Sequence, residues 1–232
     1  IVTVDEDDPE PRKNLIPILI VVLSIILGVG VYFVLQEKKA EQERQEQYNR
    51  THGSKNGHDW VDLGLPSGLK WATCNVGASS PEEYGNYYAW GETSTKSEYT
   101  KDTSKTYGKQ MNDIGGRSQY DAARDNWGGT WRLPTKAELQ ELKNKCTWKW
   151  TTQNGVNGYK VTGPNGNSIF LPAAGEHYGT SLCSDGYYGY YWSSTPLDVN
   201  DFSAYYLYFR NGDEDVAYIN RNNGLTVRPI TE

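Results

Sequence analysis

The richest set of side chains able to recognise a ligand lies in the forty residues 190–229. Nine of the eighteen tyrosines occur at or beyond Tyr178. Tyrosine offers a large contact area at low entropic cost, and short polar side chains add adaptable hydrogen bonds. Plain packing in β-strands is the alternative role for such tyrosines. We predict a metal-independent ligand-binding surface built from Asp198, Asn200, Asp201, Phe202, Tyr205, Tyr206, Tyr208, Arg210, Asp213, Asp215, Tyr218 and Asn220. Since side chains alternate along a strand, only part of this set is expected to face a ligand.

Catalytic chemistry has little support in the sequence. Beyond residue 58, His177 is the only histidine and no serine elbow accompanies it, which argues against Ser-His-Asp hydrolysis. The three cysteines, Cys74, Cys146 and Cys183, form no C-x-x-C pair of the kind found in zinc and redox sites. One disulfide with one thiol left over stays open. We therefore expect no catalytic residues and no enzyme activity.

Metal binding is equally unsupported. His52 and His58 flank a short Gly-containing segment that has no third ligand nearby. The acidic run Asp213-Glu214-Asp215 could supply only part of the roughly six or more oxygen ligands that calcium takes. We expect neither a metal nor a cofactor.

The elements that must position the predicted surface form a β-meander. Residues 204–209 and 215–219 combine aromatic and β-branched side chains at nearly period-2 spacing, which is typical of strands. Between them, Asn211-Gly212 is a strong hairpin signal because both residues accept a positive φ. Asn222-Asn223-Gly224 predicts a second turn, followed by a last strand at 225–228 that Pro229 closes.

The preceding residues predict a mixed α+β scaffold. Thr135-Lys136-Ala137-Glu138 is a capping box, so we expect a helix from there to about Cys146. A short helix is expected at 120–125 and a long surface loop at 94–116. Strands are predicted at 60–64, 69–73, 148–152, 159–163 and 168–171, with turns that include Asn154-Gly155 and Asn157-Gly158, and with loops at 172–178 and 184–191.

The N-terminal quarter predicts a membrane anchor. Leu15–Leu35 carries no charge over 21 residues, enough for a helix to cross a hydrocarbon core of about 30 Å. A signal peptide is the competing interpretation, but its apolar core is shorter and ends at a small-residue cleavage site. We predict a flexible acidic segment at 1–14, the membrane helix at 15–35, a charged stalk and flexible linker at 36–58, and a globular domain at 59–232.

Charge bears on orientation and on partners. Arg12 and Lys13 precede the apolar stretch, while Lys38, Lys39 and Arg44 follow it, so the positive-charge rule mildly favours a cytoplasmic C-terminal side. Because the lysines that follow are interleaved with Glu, we nevertheless expect the domain to be extracytoplasmic. The net charge of −6 argues against a nucleic-acid partner. The expected partners are the lipid bilayer, through Leu15–Leu35, and a protein or glycan ligand.

Six motifs in one order resemble a known family, the Fibrobacter succinogenes major paralogous domain. This family is related to formylglycine-generating-enzyme-like folds within the C-type-lectin-like superfamily. The resemblance covers residues 59–230 and implies a compact α+β domain whose first and last strands pair, with a sheet face and loops left for a ligand. The motifs are D-W-V-D-L-G-L-P-S-G-L-K-W-A-T-C-N-V-G (59–77), Y-Y-A-W-G-E-T (87–93), W-R-L-P-T-K-A-E-L (131–139), F-L-P-A-A-G (170–175), Y-W-S-S-T-P (191–196) and R-N-N-G-L-T-V-R-P (221–229).

The end of the chain also resembles the variable proteins of diversity-generating retroelements. In that family, mutagenesis at template adenines lets Asn codons ending in a pyrimidine yield many side chains, but not Lys, Gln, Glu, Met or Trp. Residues 193–227 hold no Lys, Gln, Met or Trp and a single Glu, Glu214, whereas residues 59–192 hold ten Lys and eight Trp. The resemblance implies a receptor or adhesin with a diversified surface, and Glu214 departs from the simplest pattern.

Two other functions known in this superfamily fit the residues less well. Formylglycine-generating enzymes hold copper through paired cysteines, and the region after Leu182 offers only Cys183. C-type lectins present calcium ligands through Glu-Pro-Asn and Trp-Asn-Asp tripeptides. Here Trp192-Ser193-Ser194 stands in place of the second, and no Glu-Pro-Asn occurs. A related oxidase and a purely structural module of the cell envelope remain the alternatives to a ligand-binding protein.

Overall fold

The computed structural model describes residues 16–232 and divides into two compact units, one ending at Asn49 and one covering Arg50–Glu232. The predicted flexible segment at 1–14 and the first residue of the predicted span, Leu15, lie outside the described residues.

The first unit is built on a single long helix, α1 (Ile16–Thr51). Its most apolar 18-residue window has a mean hydropathy of 2.6, and the described apolar side chains from Leu19 to Leu35 are exposed. The helix is therefore long and apolar enough to span a membrane. From the good helix formers at 36–50 we predict that the charged stalk extends the membrane helix, and the structure confirms it, with exposed i,i+4 contacts such as Lys39–Glu43 at 3.9 Å.

The prediction of a flexible linker just before residue 59 is wrong, because these residues form a β-hairpin. Strand β1 (His52–Lys55) pairs antiparallel with β2 (His58–Asp62), and Asn56-Gly57 forms the turn with φ values of 51° and 79°. Two consecutive positive φ angles are what a type I′ hairpin turn requires. The globular fold thus starts at this hairpin rather than at Asp59.

The hairpin belongs to a four-stranded sheet that joins the start of the fold to the end of the chain. Its order is β1-β2-β3-β12, where β3 is Lys70–Ala72 and β12 is Ile230–Thr231. Ile230 pairs with Trp71 in antiparallel register. Early and terminal strands therefore share a sheet, as the family resemblance implies, although the last strand pairs with the third.

Two helices flank the middle of the domain. Helix α2 (Ala122–Trp127) is capped by the buried carboxylate of Asp121, which accepts from the amides of Ala123 and Arg124. Helix α3 (Lys136–Lys145) has the predicted capping box, with Thr135 and Glu138 bonded reciprocally, and it ends at Cys146. Within the described residues, the predicted loop at 94–116 contains no helix or strand.

A second sheet contains β4 (Thr147–Gln153), β5 (Val156–Thr162) and β6 (Ser168–Pro172), as predicted. The turn predicted at Asn157-Gly158 is wrong, because both residues lie inside β5 and Gly158 pairs with Pro172. A Cβ atom on Gly158 would lie 2.3 Å from the carbonyl oxygen of Leu171. Glycine serves close packing there and not a turn.

The terminal meander is confirmed for the two predicted strands at 204–209 and 215–219, but its third strand is one that the sequence did not predict. It consists of β9 (Tyr188–Pro196), β10 (Ser203–Arg210) and β11 (Asp213–Asn220) in the order β11-β10-β9. The predicted strand at 225–228 instead forms single bridges, Leu225 with Tyr88 and Thr226 with Tyr191. The region predicted as loop at 172–178 and beyond contains a small hairpin of β7 (Glu176–Tyr178) and β8 (Ser181–Cys183).

Hydrophobic cores lie on both faces of the meander. One includes Leu207 and Phe209 of β10 with Leu139 and Leu142 of α3. The other includes Trp192 and Tyr206, together with Trp90 and Trp131 from the preceding scaffold. The α+β class with several short antiparallel sheets and few helices is confirmed.

Candidate ligand-binding surface

Four tyrosines from two neighbouring strands share one face of the meander. The antiparallel register sets Tyr208 opposite Tyr190, and Arg210 opposite Tyr188. Because side chains alternate along each strand, Tyr188 and Tyr190 of β9 project to the same side as Tyr206 and Tyr208 of β10. We call these four residues the tyrosine face.

The rings of the tyrosine face are in mutual contact. Ring centroids lie 6.0 Å apart for Tyr188–Tyr190 and 5.8 Å apart for Tyr190–Tyr206, with interplanar angles of 24° and 21°. Tyr208 contacts both Tyr188 and Tyr190 at 5.8 Å. These separations are within the range of favourable aromatic pairs, so each ring restricts the rotamers of its neighbours.

One ring of the tyrosine face is buried and the other three are partly exposed. Tyr206 is 8 % exposed, whereas Tyr188, Tyr190 and Tyr208 are half-buried. The expectation that Tyr206 is displayed to a ligand is therefore wrong: its ring packs between Tyr190 and Trp192 and joins the core. The three half-buried rings are the ones that a ligand would contact.

Two charged groups, Arg210 and Asp213, border the tyrosine face at the end nearest the Asn211-Gly212 turn. Arg210 is exposed, and its Nε lies 3.4 Å from a carboxylate oxygen of Asp213 across the Asn211-Gly212 turn. A hydrogen bond from the guanidinium to Tyr188 raises the pKa of Arg210. The guanidinium is thus held near the tyrosine face, with its charge compensated.

A half-buried carboxylate lies near Tyr190 and Tyr206, at the opposite end of the tyrosine face from Arg210. Glu176 on β7 accepts a hydrogen bond from Nδ2 of Asn223 at 2.7 Å, and burial raises the pKa of Glu176. Burial, followed by the nearby charge of Glu176, raises the pKa of Tyr206 to about 12. The same two causes raise the pKa of Tyr190. These phenols are neutral hydrogen-bonding groups at physiological pH.

Two of the predicted site residues, Tyr205 and Tyr218, lie on the side of the sheet away from the tyrosine face. Tyr205 pairs in register with Tyr218, and Nζ of Lys136 lies 3.8 Å from the centroid of the Tyr205 ring. Asp215 pairs in register with Tyr208 and so belongs to the same side as the tyrosine face, but its carboxylate accepts from Nζ of Lys143 on α3 at 2.7 Å, a bond that lowers the pKa of that carboxyl. The single displayed surface expected from the sequence is therefore split between the two sides of the sheet.

The loop between β9 and β10 holds four further predicted residues. Asp198 and Phe202 are exposed, and the Phe202 ring lies 5.0 Å from Tyr107. Asn200 shapes the loop, since its Oδ1 accepts from the amides of Phe202 and Ser203 at 2.9 Å each. The carbonyl of Asp201 accepts from the amide of Gly108 at 3.0 Å. Asn220, at the end of β11, lines a separate cavity of about 380 Å³ beside Tyr178.

Sequence reasoning missed Tyr188 and Tyr190, which were assigned to a loop. The signal was present: Tyr188-Gly189-Tyr190 has the same period-2 spacing as Tyr206-Leu207-Tyr208. Gly189 lies under the ring of Phe209, where an added Cβ would be 2.0 Å from Cζ, so it belongs to a packed strand. Glycine content alone was a misleading indication of a loop.

The thiols do not form a paired site. Cys74, Cys146 and Cys183 are all free, on separate elements, so the disulfide left open by the sequence is not formed. Burial raises the pKa of Cys146 to about 11, which makes that thiol a poor nucleophile. Within residues 16–232, no group of three or more His, Cys, Asp or Glu side chains is placed to hold a metal ion.

Taken together, the elements define an α+β domain that carries an aromatic, hydrogen-bonding surface and follows a helix long enough to span a membrane. The chain belongs to the Lcl C-terminal domain family, which it matches over residues 64–231. This family is associated with Fibrobacter. Comparisons with curated proteins and with solved structures gave no match. The C-type-lectin-like relationship stays a prediction.

Proposed function

We propose that the protein is a membrane-anchored, ligand-binding receptor or adhesin that captures a protein or glycan on its tyrosine face. The domain lies on the extracytoplasmic side of the membrane, and α1 holds it at the bilayer. The observation that carries the proposal is the contact of four tyrosine rings across two strands, with three of them partly exposed to solvent. Membrane-compatible length and hydropathy of α1 support the anchoring.

The energetics support recognition by the half-buried rings. Aromatic anchors that become fully desolvated in a complex contribute about 2 kcal/mol or more each. Here the contacts between neighbouring rings already restrict the side chains, so little rotamer entropy is lost when a ligand binds. Arg210 and Asp213 at the rim supply donors and acceptors that fix the orientation of the ligand.

A catalytic role has less support. An oxidase of the formylglycine-generating type needs two thiols in one site, whereas Cys74 follows β3, Cys146 caps α3 and Cys183 ends β8. A purely structural role would leave the three half-buried tyrosines without a function. Both alternatives are separated from ligand capture by the experiment below.

Diversification of residues 193–227 is part of the proposal. Its support is the residue bias of this segment and the position of Tyr208, Arg210 and Asp213 on or beside the tyrosine face. A reverse-transcriptase gene beside an adenine-rich near-copy of the last hundred or so bases of the coding sequence is the expected genomic context. If the genome carries neither the reverse-transcriptase gene nor the near-copy beside this gene, the diversification proposal is wrong, but the proposal of ligand capture is unaffected.

The test of ligand capture uses the whole chain in lipid nanodiscs, applied to arrays of glycans and of extracellular proteins. We expect discrete hits that Tyr208→Ala abolishes. Tyr178→Ala is the matched control, since Tyr178 is 65 % exposed and lies outside the tyrosine face. Hits that survive in Tyr208→Ala, or an array on which nothing binds, would contradict the proposal.

A further inference from the structure

A cleft opens where the tyrosine face ends, and none of the predicted site residues except Arg210 lines it. It has a volume of about 350 Å³ and is bordered by Trp150, Asn157, Tyr187, Tyr188, Arg210 and Asn211. That volume falls within the range of about 300–1,000 Å³ that small-ligand sites have. Tyr188 and Arg210 belong to both features, so the cleft continues the tyrosine face.

The walls of the cleft are held in place by contacts behind them. Trp150 on β4 packs edge-on against Tyr159, with ring centroids 5.3 Å apart. The hydroxyl of Tyr159 donates to the carbonyl of Arg210 at 3.1 Å and accepts from the amide of Gly212 at 3.0 Å. Tyr159 therefore links the strand that carries Trp150 to the end of β10 at Arg210 and to the turn at Gly212, which fixes the width of the cleft.

The polar groups in the cleft are oriented as well. Oδ1 of Asn157 accepts from the hydroxyl of Thr152 at 2.8 Å, and its Nδ2 donates to the carbonyl of Gly186 at 3.2 Å. An amide held in this way keeps one further N–H and one further lone pair in a defined direction. The exposed ring of Tyr187 stands at the opposite border, with 73 % of its surface open to solvent.

We propose that this cleft binds one unit of a neutral saccharide, an assignment that rests on the proposed function and names the ligand class of that site. The aromatic rings offer flat apolar surfaces for the C–H face of a sugar ring. Each sugar hydroxyl donates and accepts at once, so it matches a guanidinium and a carboxylate side by side. Arg210, which lines the cleft, and Asp213, which lies beside it across the turn at 3.4 Å, are such a pair.

Charge decides between a neutral and an anionic sugar. The positive charge of Arg210 is already compensated by Asp213, and the chain as a whole carries a net charge of −6. A carboxylate or sulfate on the ligand would approach Asp213 as well as Arg210, so it gains little from the pair. The cleft is therefore selective for uncharged rings.

The test is calorimetric titration of the whole chain in detergent micelles with neutral oligosaccharides: cellotetraose, mannotetraose and galactotetraose. Tetragalacturonate is the anionic counterpart of galactotetraose and serves as the charged comparison. We expect at least one neutral tetramer to bind, and galactotetraose to bind more tightly than tetragalacturonate. Tyr187→Ala should weaken binding at least tenfold, which corresponds to about 1.4 kcal/mol, and Tyr178→Ala should leave it within twofold.

Three outcomes would overturn the assignment. The first is that no neutral tetramer binds at concentrations up to about 10 mM, which exceeds the millimolar affinity of weak single-site ligands. The second is that tetragalacturonate binds more tightly than galactotetraose, and the third is that Tyr187→Ala binds with full affinity. Asn211→Ala provides a second variant at the border of the cleft, on an exposed turn. If array binding is lost in Tyr208→Ala but retained in Tyr187→Ala, the proposed function stands and the assignment of the cleft as a saccharide site is wrong. Hits indifferent to Tyr208 would remove the proposed function itself.

Discussion

The guanidinium of Arg228 donates from Nε to Oδ1 of Asn75 at a distance of 2.8 Å, in the interior of the domain. Arg228 is 1 % exposed, and its other nitrogens donate to the carbonyls of Ala72, Thr73 and Phe170 at 2.7–3.1 Å. Among residues 16–232, no carboxylate forms an ion pair with it. Neutral acceptors alone therefore satisfy a buried cation that joins the strand β3 region to strand β6.

Replacement of Arg228 by lysine should destabilise the domain by about 3 kcal/mol, because hydrogen bonds to charged groups contribute about 1.5–3 kcal/mol each. A lysine ammonium lacks the planar fork that reaches acceptors on two strands, and it leaves buried carbonyls unpaired. Urea unfolding in micelles, followed by tryptophan fluorescence, measures the difference. Arg210→Lys is the exposed control and should stay within about 0.5 kcal/mol of the wild type. Equal effects of the two variants would contradict the structural role of Arg228.

The two neighbouring tyrosines of β10 should respond differently to truncation. Tyr206→Ala removes a ring that is 8 % exposed and packed on Tyr190 and Trp192, so we expect a loss of about 3 kcal/mol. Tyr205 is half-buried at the other side of the sheet, and Tyr205→Ala should cost about 1 kcal/mol. Thermal melts followed by near-UV circular dichroism measure both. A Tyr206→Ala variant as stable as Tyr205→Ala would assign the Tyr206 ring to the surface.

The same pair shows where prediction from sequence ends. Local signals were sufficient for the capping box at Thr135 and for the β10–β11 hairpin with its Asn211-Gly212 turn, because each depends on residues near in sequence. Which face of β10 is open depends on distant partners such as Leu139 and Trp90, and no local pattern specifies them. Asn-Gly pairs illustrate both cases: Asn56-Gly57 is a turn that was missed, and Asn157-Gly158 lies inside a strand.

Glu176 should make stability depend on pH in a defined direction. Burial raises the pKa of its carboxyl above the usual value of 4.5, so the folded state binds the proton more readily than the unfolded chain. Ionisation of Glu176 therefore lowers the stability as pH rises from about 4.5 through the folded pKa, and the cost is absent below the unfolded value. Glu176→Gln removes this cost, while its amide oxygen can still accept from Asn223.

We accordingly expect Glu176→Gln to be more stable than the wild type at pH 7.5 and equal to it near pH 4. Chemical denaturation of both proteins at half-unit steps of pH measures this difference. Asp102→Asn replaces an exposed carboxylate and is the matched control; its stability relative to the wild type should not change between pH 4 and pH 7.5 in this way. A Glu176→Gln variant that is less stable at pH 7.5 would show that the charged bond to Asn223 outweighs the cost of burial.

The orientation of the domain can be tested against the charge pattern around α1. We expect a C-terminal fusion to alkaline phosphatase, which is active only after export, to be active, and a fusion to green fluorescent protein to be dark. Three cations follow the span on the domain side and two precede it, so the positive-charge rule weakly opposes the expected export. The double change Glu37→Lys and Glu41→Lys adds two cations beside the span and should lower the phosphatase activity. Matched changes to Gln remove the same carboxylates without adding cations, and the exported form should persist. A fluorescent wild-type fusion would instead place the tyrosine face in the cytoplasm, where an adhesin role is impossible.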